Sequence, residues 1–129
     1  MNENPITPQK KILVVEDDFY IRDLYKLQGQ LMNYEVFTAA DGEEGIEKIK
    51  SHRPDIILLD LMMPKVDGMT VLRTIRSDPA FANMKFIITT NMEDSITESA
   101  AKQLGVLEYV LKINNTPQAI MELVKKHIG

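Results

Sequence analysis

Ile12-Leu13-Val14-Val15-Glu16-Asp17-Asp18 sets four aliphatic residues directly against three acids. A continuous apolar run without alternation describes a strand buried on both faces, as in a parallel sheet covered by helices on each side. The same pattern recurs along the chain. Ile56 to Leu59 ends in Asp60, Phe86 to Ile88 leads into Thr89 and Thr90, and Tyr109 to Leu111 ends in Lys112, with a weaker alternating run at Tyr34 to Thr38. Between these strands lie segments with helical spacing: Ile21, Leu24, Tyr25, Gln28 and Leu31; Ile46 and Ile49; Val71, Leu72 and Ile75; Ile120, Leu123, Val124 and Ile128. Each reads as an amphipathic helix lying on a sheet face. Punctuation agrees, with capping-box spacing at Asp41/Glu44 and Ser95/Glu98, a helix start at Thr116-Pro117 and a helix end at Gly105. Five alternations of strand and helix predict right-handed crossovers, a parallel sheet and a three-layer α/β sandwich.

With 129 residues, 44% hydrophobic and 26% charged, the chain has the size and balance of one domain. Cysteine is absent, which excludes disulfides, zinc-thiolate sites and cysteine nucleophiles and fits most easily with a cytoplasmic location. The net charge of −4 is the wrong sign for a domain that grips a phosphate backbone, so no direct nucleic-acid contact is expected. No apolar run approaches the ~20 residues of a membrane helix. Met1 to Lys10 is polar and carries Pro5 and Pro8, which reads as a disordered lead-in to a domain over residues 11–129. After the last helix only Gly129 remains, so no effector domain is expected in this chain.

Open parallel sheets bind ligands beyond the carboxyl ends of their strands. That rule gathers Glu16, Asp17 and Asp18, then Asp60, Thr90 and Lys112, on one edge. Carboxylates there repel by about 3 kcal/mol per pair at ~5 Å and an effective dielectric near 20. A cation is therefore expected among them, and an oxygen-only ligand set with room for water favours Mg2+. Lys112 adds a fixed positive charge and Thr90 a hydroxyl donor. Such a group neutralises a transferring phosphoryl moiety, and a strand-tip aspartate within it can act as the nucleophile. Asp60 is the candidate. Taken singly, each residue has an ordinary explanation: Asp18 as a helix cap, Thr90 as a strand-end threonine, Lys112 as a snorkelling lysine, Tyr109 as half-buried packing. Their joint placement on one sheet edge is what points to a site.

Together these residues resemble the receiver domain of two-component response regulators over about Lys11 to Ile128. The resemblance is carried by Ile12 to Val15 with Glu16-Asp17, by Leu58 to Pro64 around Asp60 followed by Asp67-Gly68, by Ile87 to Thr90, and by Gly105, Tyr109 and Lys112. It implies a flavodoxin-like, doubly wound fold of five βα units with strand order 2-1-3-4-5. It also implies that Asp60 accepts phosphate, that Asp17, Asp60 and the Met62 carbonyl bind Mg2+ with Glu16 acting mainly through water, and that Lys112 pairs with the phosphoryl group. Thr90, preferred over Thr89 for its interval from Asp60, and Tyr109 would form the switch that reshapes a protein-binding face. The implied partners are a histidine kinase or phosphotransfer protein, docked by Arg22, Lys26 and their first-helix neighbours, and a downstream protein target.

The sequence departs from the family at several points. Ile113 follows Lys112 where proline and a cis peptide are usual; a non-proline cis bond costs ~3 kcal/mol, so trans is expected. Asn91 replaces a small residue after Thr90, and either crowding of Asp60 or a hydrogen bond to the phosphoryl group follows. Glu16 stands for the more frequent aspartate and reaches further. Met62 and Met92 cannot orient an attacking water, which predicts a long-lived phosphoryl state. Two other readings stay open: a phosphate-independent pseudo-receiver, motivated by Ile113 and Asn91, and a phosphatase acting on external substrates, for which Met62 occupies the place of the second acid. As a receiver the chain would be no enzyme beyond its own phosphorylation and dephosphorylation. His52 and His127 read as cations at helix C-termini.

Overall fold

A computed structural model of the protein describes residues 8–129. Five parallel strands, β1 (Lys11–Val15), β2 (Glu35–Ala39), β3 (Ile56–Leu59), β4 (Phe86–Thr90) and β5 (Glu108–Leu111), form one sheet in the order β2-β1-β3-β4-β5. Helices α1 (Phe19–Leu31), α2 (Gly42–His52), α3 (Gly68–Ser77), α4 (Ser95–Gln103) and α5 (Pro117–Ile128) connect or follow them, and a 3-10 turn spans Lys112–Asn114. This is the expected doubly wound architecture.

Strand alternation divides the core in two. Leu13, Val15, Ile57, Leu59 and Ile88 face one side, under Ile49 of α2, Val71, Leu72 and Ile75 of α3 and Ala101 of α4. Ile12, Val14, Ile56, Leu58, Ile87 and Val110 face the other, under Tyr25 of α1 and Ile120, Met121 and Val124 of α5. Both sides of the central strands are therefore dry, which is why their sequences show no polar alternation.

Local chemistry fixes the helix starts. Asp18 caps α1 by accepting from Tyr20 and Ile21 N–H, Asp41 caps α2, Asp67 caps α3, and Thr116 precedes Pro117 at the start of α5. The box at α2 is closed by Glu44, which accepts from Ala40 N–H at 2.7 Å. At α4 the expected cap is displaced by one residue. Asp94, not Ser95, accepts from Ile96 N–H and also from the Thr97 hydroxyl, because a carboxylate outcompetes a neighbouring hydroxyl for the orphan donors. Gly105 ends α4 at φ +82°, where a β-carbon would be strained.

Other expectations need correction. Leu24 and Leu31 do not pack on the sheet; they are 51% and 71% exposed, with Tyr20 and Leu27 on the same stripe. Tyr25 and Gly29 face inward instead, and at Gly29 a β-carbon would lie 2.7 Å from Val36, so the helix buries its smallest residue to approach the sheet. His127 is not simply a terminal cation, because its Nε2 lies 2.8 Å from Glu108 Oε2, and His52 packs edge-on to Phe37. Of the lead-in, residues 1–7 lie outside the described part, while Gln9 donates to the Asn33 carbonyl at 3.1 Å.

Ile75→Ala, at a fully buried position, is expected to cost about 2–5 kcal/mol in urea unfolding. Leu31→Ala on the exposed stripe should change stability by no more than about 0.5 kcal/mol.

Candidate phosphoacceptor and metal site

Strand register builds the site. Val15 pairs with Leu59 and Thr90 with Leu111, so the residues after these strands emerge together at one sheet edge. Asp60 N–H donates to the Val15 carbonyl at 3.0 Å and Glu16 N–H to the Ala39 carbonyl at 3.0 Å, which extends the ladder just far enough to fix both acids. Glu16 and Asp60 are 0% and 2% exposed. Beyond Asp60, Gly68 lets α3 press on the chain: a β-carbon there would strike the Asp60 carbonyl oxygen and come within 2.6 Å of Leu61 Cα.

Lys112 binds the two buried acids together. Its Nζ lies 2.8 Å from Glu16 Oε1 and 3.4 Å from Asp60 Oδ2. The other oxygens are also engaged, with Glu16 Oε2 accepting from Asp18 N–H at 3.0 Å and Asp60 Oδ1 from Met62 N–H at 3.2 Å. Exposed Asp17 completes the cluster: Glu16, Asp17 and Asp60 each offer a carboxylate oxygen within 4.8 Å of the others. All three line a cleft of about 390 Å³ with Asp18, Ile21, Met62, Asn91 and Lys112. Three carboxylates against one ammonium leave a surplus of negative charge at a set of hard oxygen donors, and a divalent cation fits that chemistry. Asp18 lines the cleft, but its Oδ1 is occupied as the α1 cap.

Burial dominates the electrostatics. It pushes Glu16 up to about 7, against the hydrogen bonds from Lys112 and the Asp18 amide, and the nearby Asp60 charge adds to the rise. Asp60 is raised for the same first reason, opposed by Lys112 and by the Met62 N–H. For Lys112 burial works against the charge, but the hydrogen bond to Glu16 and the two carboxylates outweigh it and raise its pKa. Tyr25, packed below the cluster, has its phenol raised by burial and then by Glu16 and Asp60.

Thr90 and Tyr109 meet on one residue. Met92 N–H donates to Thr90 Oγ1 at 3.1 Å, and the Tyr109 hydroxyl donates to the Met92 carbonyl at 2.8 Å. Thr90 is fully buried and does not line the cleft. Alternation places it on the same sheet face as Ile88, against which Tyr109 also packs, whereas Thr89 faces the α1/α5 side. Arg22, which the family resemblance implies in docking, also serves the site itself. Its Nη1 donates to the Glu16 carbonyl at 2.8 Å and sits 3.4 Å from the Asp17 carbonyl, holding the backbone of the acidic loop.

The chain matches the family model described as response regulator receiver domain over residues 12–125. It belongs to the response regulator receiver family. A probable transcriptional regulator, ycf27, of Cyanophora paradoxa is 36% identical over 104 residues, 81% of this chain and 42% of that protein. The chain thus spans about two fifths of the curated relatives it matches. Among solved structures, a CheY-like receiver domain protein from Methanospirillum hungatei JF-1 superimposes with a TM-score of 0.85 at 28% identity, covering 92% of this chain and 93% of that one. The Mn2+-bound form of response regulator Rcp1 does so with a TM-score of 0.83 at 26% identity, covering 93% and 97%. This receiver domain therefore shares its fold with a protein seen holding a divalent metal. Among its described residues no helix is long and apolar enough to cross a membrane.

The raised carboxyls set a pH dependence. Between the ordinary glutamate value and about 7, the folded domain keeps a proton on Glu16 that the unfolded chain has lost, so this contribution to stability falls as pH rises through that window. Glu44 and Glu108, held below their ordinary value by hydrogen bonds from the Ala40 amide and His127 respectively, act in the opposite sense only at lower pH. Thermal unfolding of the metal-free domain should give a higher Tm at pH 5.5 than at pH 8. Saturating Mg2+ should remove or invert that difference, because the cation binds the deprotonated form.

Proposed function

We propose that this receiver domain takes a phosphoryl group onto Asp60 from a histidine kinase or phosphotransfer protein in the cytoplasm and passes the signal to a protein target. The observation that carries the reading is a buried Asp60 carboxylate 3.4 Å from the Lys112 ammonium, in one cleft with Glu16 and Asp17.

Asp17, Asp60 and the Met62 backbone carbonyl would hold Mg2+, with Glu16 assisting through water. When bound, the cation supplies charge neutralisation at the phosphoryl oxygens. The rest falls to the chain. An Asp60 oxygen attacks phosphorus as the donor's bond to it breaks, and the aspartyl phosphate forms with the leaving group departing to the donor side. Lys112 turns its charge toward a phosphoryl oxygen. Because Lys112 is shared with Glu16 beforehand, the donor group meets a preorganised cation rather than a free-swinging one.

Signalling follows from the Met92 connection. A Thr90 hydroxyl drawn to the phosphoryl group must give up the Met92 N–H, and displacement of that residue loosens the carbonyl that holds Tyr109. Contacts to phosphate exist in one conformer only, so phosphorylation shifts the population toward it. The exposed stripe Tyr20, Leu24, Leu27 and Leu31 runs along α1 from the mouth of the cleft and supports docking of the donor's helices there.

Acetyl phosphate with Mg2+ is expected to add about 80 Da to the wild type and nothing to Asp60→Asn, read by intact mass. The adduct should decay slowly, since Met62 on the cleft wall has no polar group to orient an attacking water and the Asn91 oxygen is already taken by the Ile113 N–H. An unmodified wild type that also fails to bind beryllofluoride would instead favour a phosphate-independent binding module.

A further inference from the structure

Lys112 acts from the edge strand, reaching past the end of β4 to Asp60, so its backbone has to be held. The peptide joining it to Ile113 is trans and belongs to the turn Lys112–Asn114, which contains no buried residue. Packing does not hold it, since Ile113 is 81% exposed. Hydrogen bonds do, at both ends of that single peptide. Ile113 N–H donates to Asn91 Oδ1 at 3.0 Å, and the Lys112 carbonyl accepts from Asn115 N–H at 3.3 Å. Asn115 Nδ2 also donates to the Leu111 carbonyl at 2.9 Å. Asn115 lies on the same connection and moves with it. Asn91 does not: it directly follows β4, whose Thr90 pairs in register with Leu111, and it stands on the wall of the cleft beside Asp60 and Lys112.

We propose that Asn91 is a positioning residue for Lys112. Its carboxamide oxygen fixes the Ile113 N–H, and with it the peptide plane from which the lysine side chain departs, so that Nζ stays on the Asp60 side of the cleft. Asn91 and Ile113 work as a pair, because only a residue with an N–H can be tied in this way and a proline in place of Ile113 would have none to offer. The tie matters because a displacement of about 1 Å in a charged group facing the reacting centre is enough to cost on the order of a hundredfold in rate. The inference rests on the phosphoacceptor reading above.

Beryllofluoride binding in saturating Mg2+ tests it, using wild type, Asn91→Ala, Ile113→Pro and the double variant; both positions are exposed and tolerate change without loss of core. Asn91→Ala is expected to weaken beryllofluoride binding about tenfold while leaving Mg2+ affinity, measured without beryllofluoride, within about twofold. In the Ile113→Pro background the same substitution should have no further effect. Amide exchange at Ile113 should quicken in Asn91→Ala. The proposal is overturned if Asn91→Ala binds as the wild type does, if its loss is undiminished when combined with Ile113→Pro, or if Mg2+ affinity falls in step. A wild type that binds no beryllofluoride would overturn the phosphoacceptor reading itself, an outcome distinct from these.

Discussion

The ion pair of Lys112 with Glu16 and Asp60 is the constraint around which the functional edge is organised. Strands lie about 4.8 Å apart, so β1 and β5, three spacings from each other in the sheet, leave roughly 14 Å to be crossed. Two long side chains cross it. Lysine supplies one reach and glutamate the other, and the extra methylene of Glu16 relative to aspartate serves this bridge as much as any metal. Burying two carboxylates and an ammonium carries a desolvation cost that their mutual attraction offsets only in part, which is why both acids sit above their ordinary pKa. The edge is thus an electrostatically costly arrangement held by a rigid sheet, and a divalent cation bound there would relieve it.

That rigidity has identifiable sources. The central strands are dry on both faces, Gly68 allows α3 to close on the residues after Asp60, and Arg22 grips the carbonyls of Glu16 and Asp17. The residues proposed as the switch are, by contrast, lightly tied. Thr90 and Tyr109 each hold Met92 by one hydrogen bond, and the loop between β4 and α4 is mostly exposed. A single new contact to Thr90 would be comparable in size with the bonds it replaces, which is the energetic condition the proposed switch requires.

Much of this was legible in the sequence. Continuous apolar runs ending in Asp60, Thr90 and Lys112 gave the strands, their burial and the residues of the edge, since a parallel sheet turns strand ends into neighbours. What escaped was whatever depends on which face a residue turns to, or on competition between near-equivalent groups. Leu24 and Leu31 have core-like spacing but turn away from the side of α1 that carries Tyr25 and Gly29, and a small inward residue carries no hydrophobic signal. Asp94 displaced Ser95 as a cap because adjacent candidates differ only in acceptor strength. Arg22 and Asn91 act on backbone groups, which leave no trace in a side-chain pattern.

The central claim is that Asp17 and Asp60, 43 positions apart in the chain, converge to hold one divalent cation beside the Lys112 ammonium. Anomalous scattering from a crystal soaked in Mn2+ measures this directly. The account predicts a single strong peak within coordination distance of both carboxylates and the Met62 carbonyl, present in the wild type and lost in Asp17→Asn. Carboxylates turned away from each other around an empty cleft at saturating Mn2+ would contradict it.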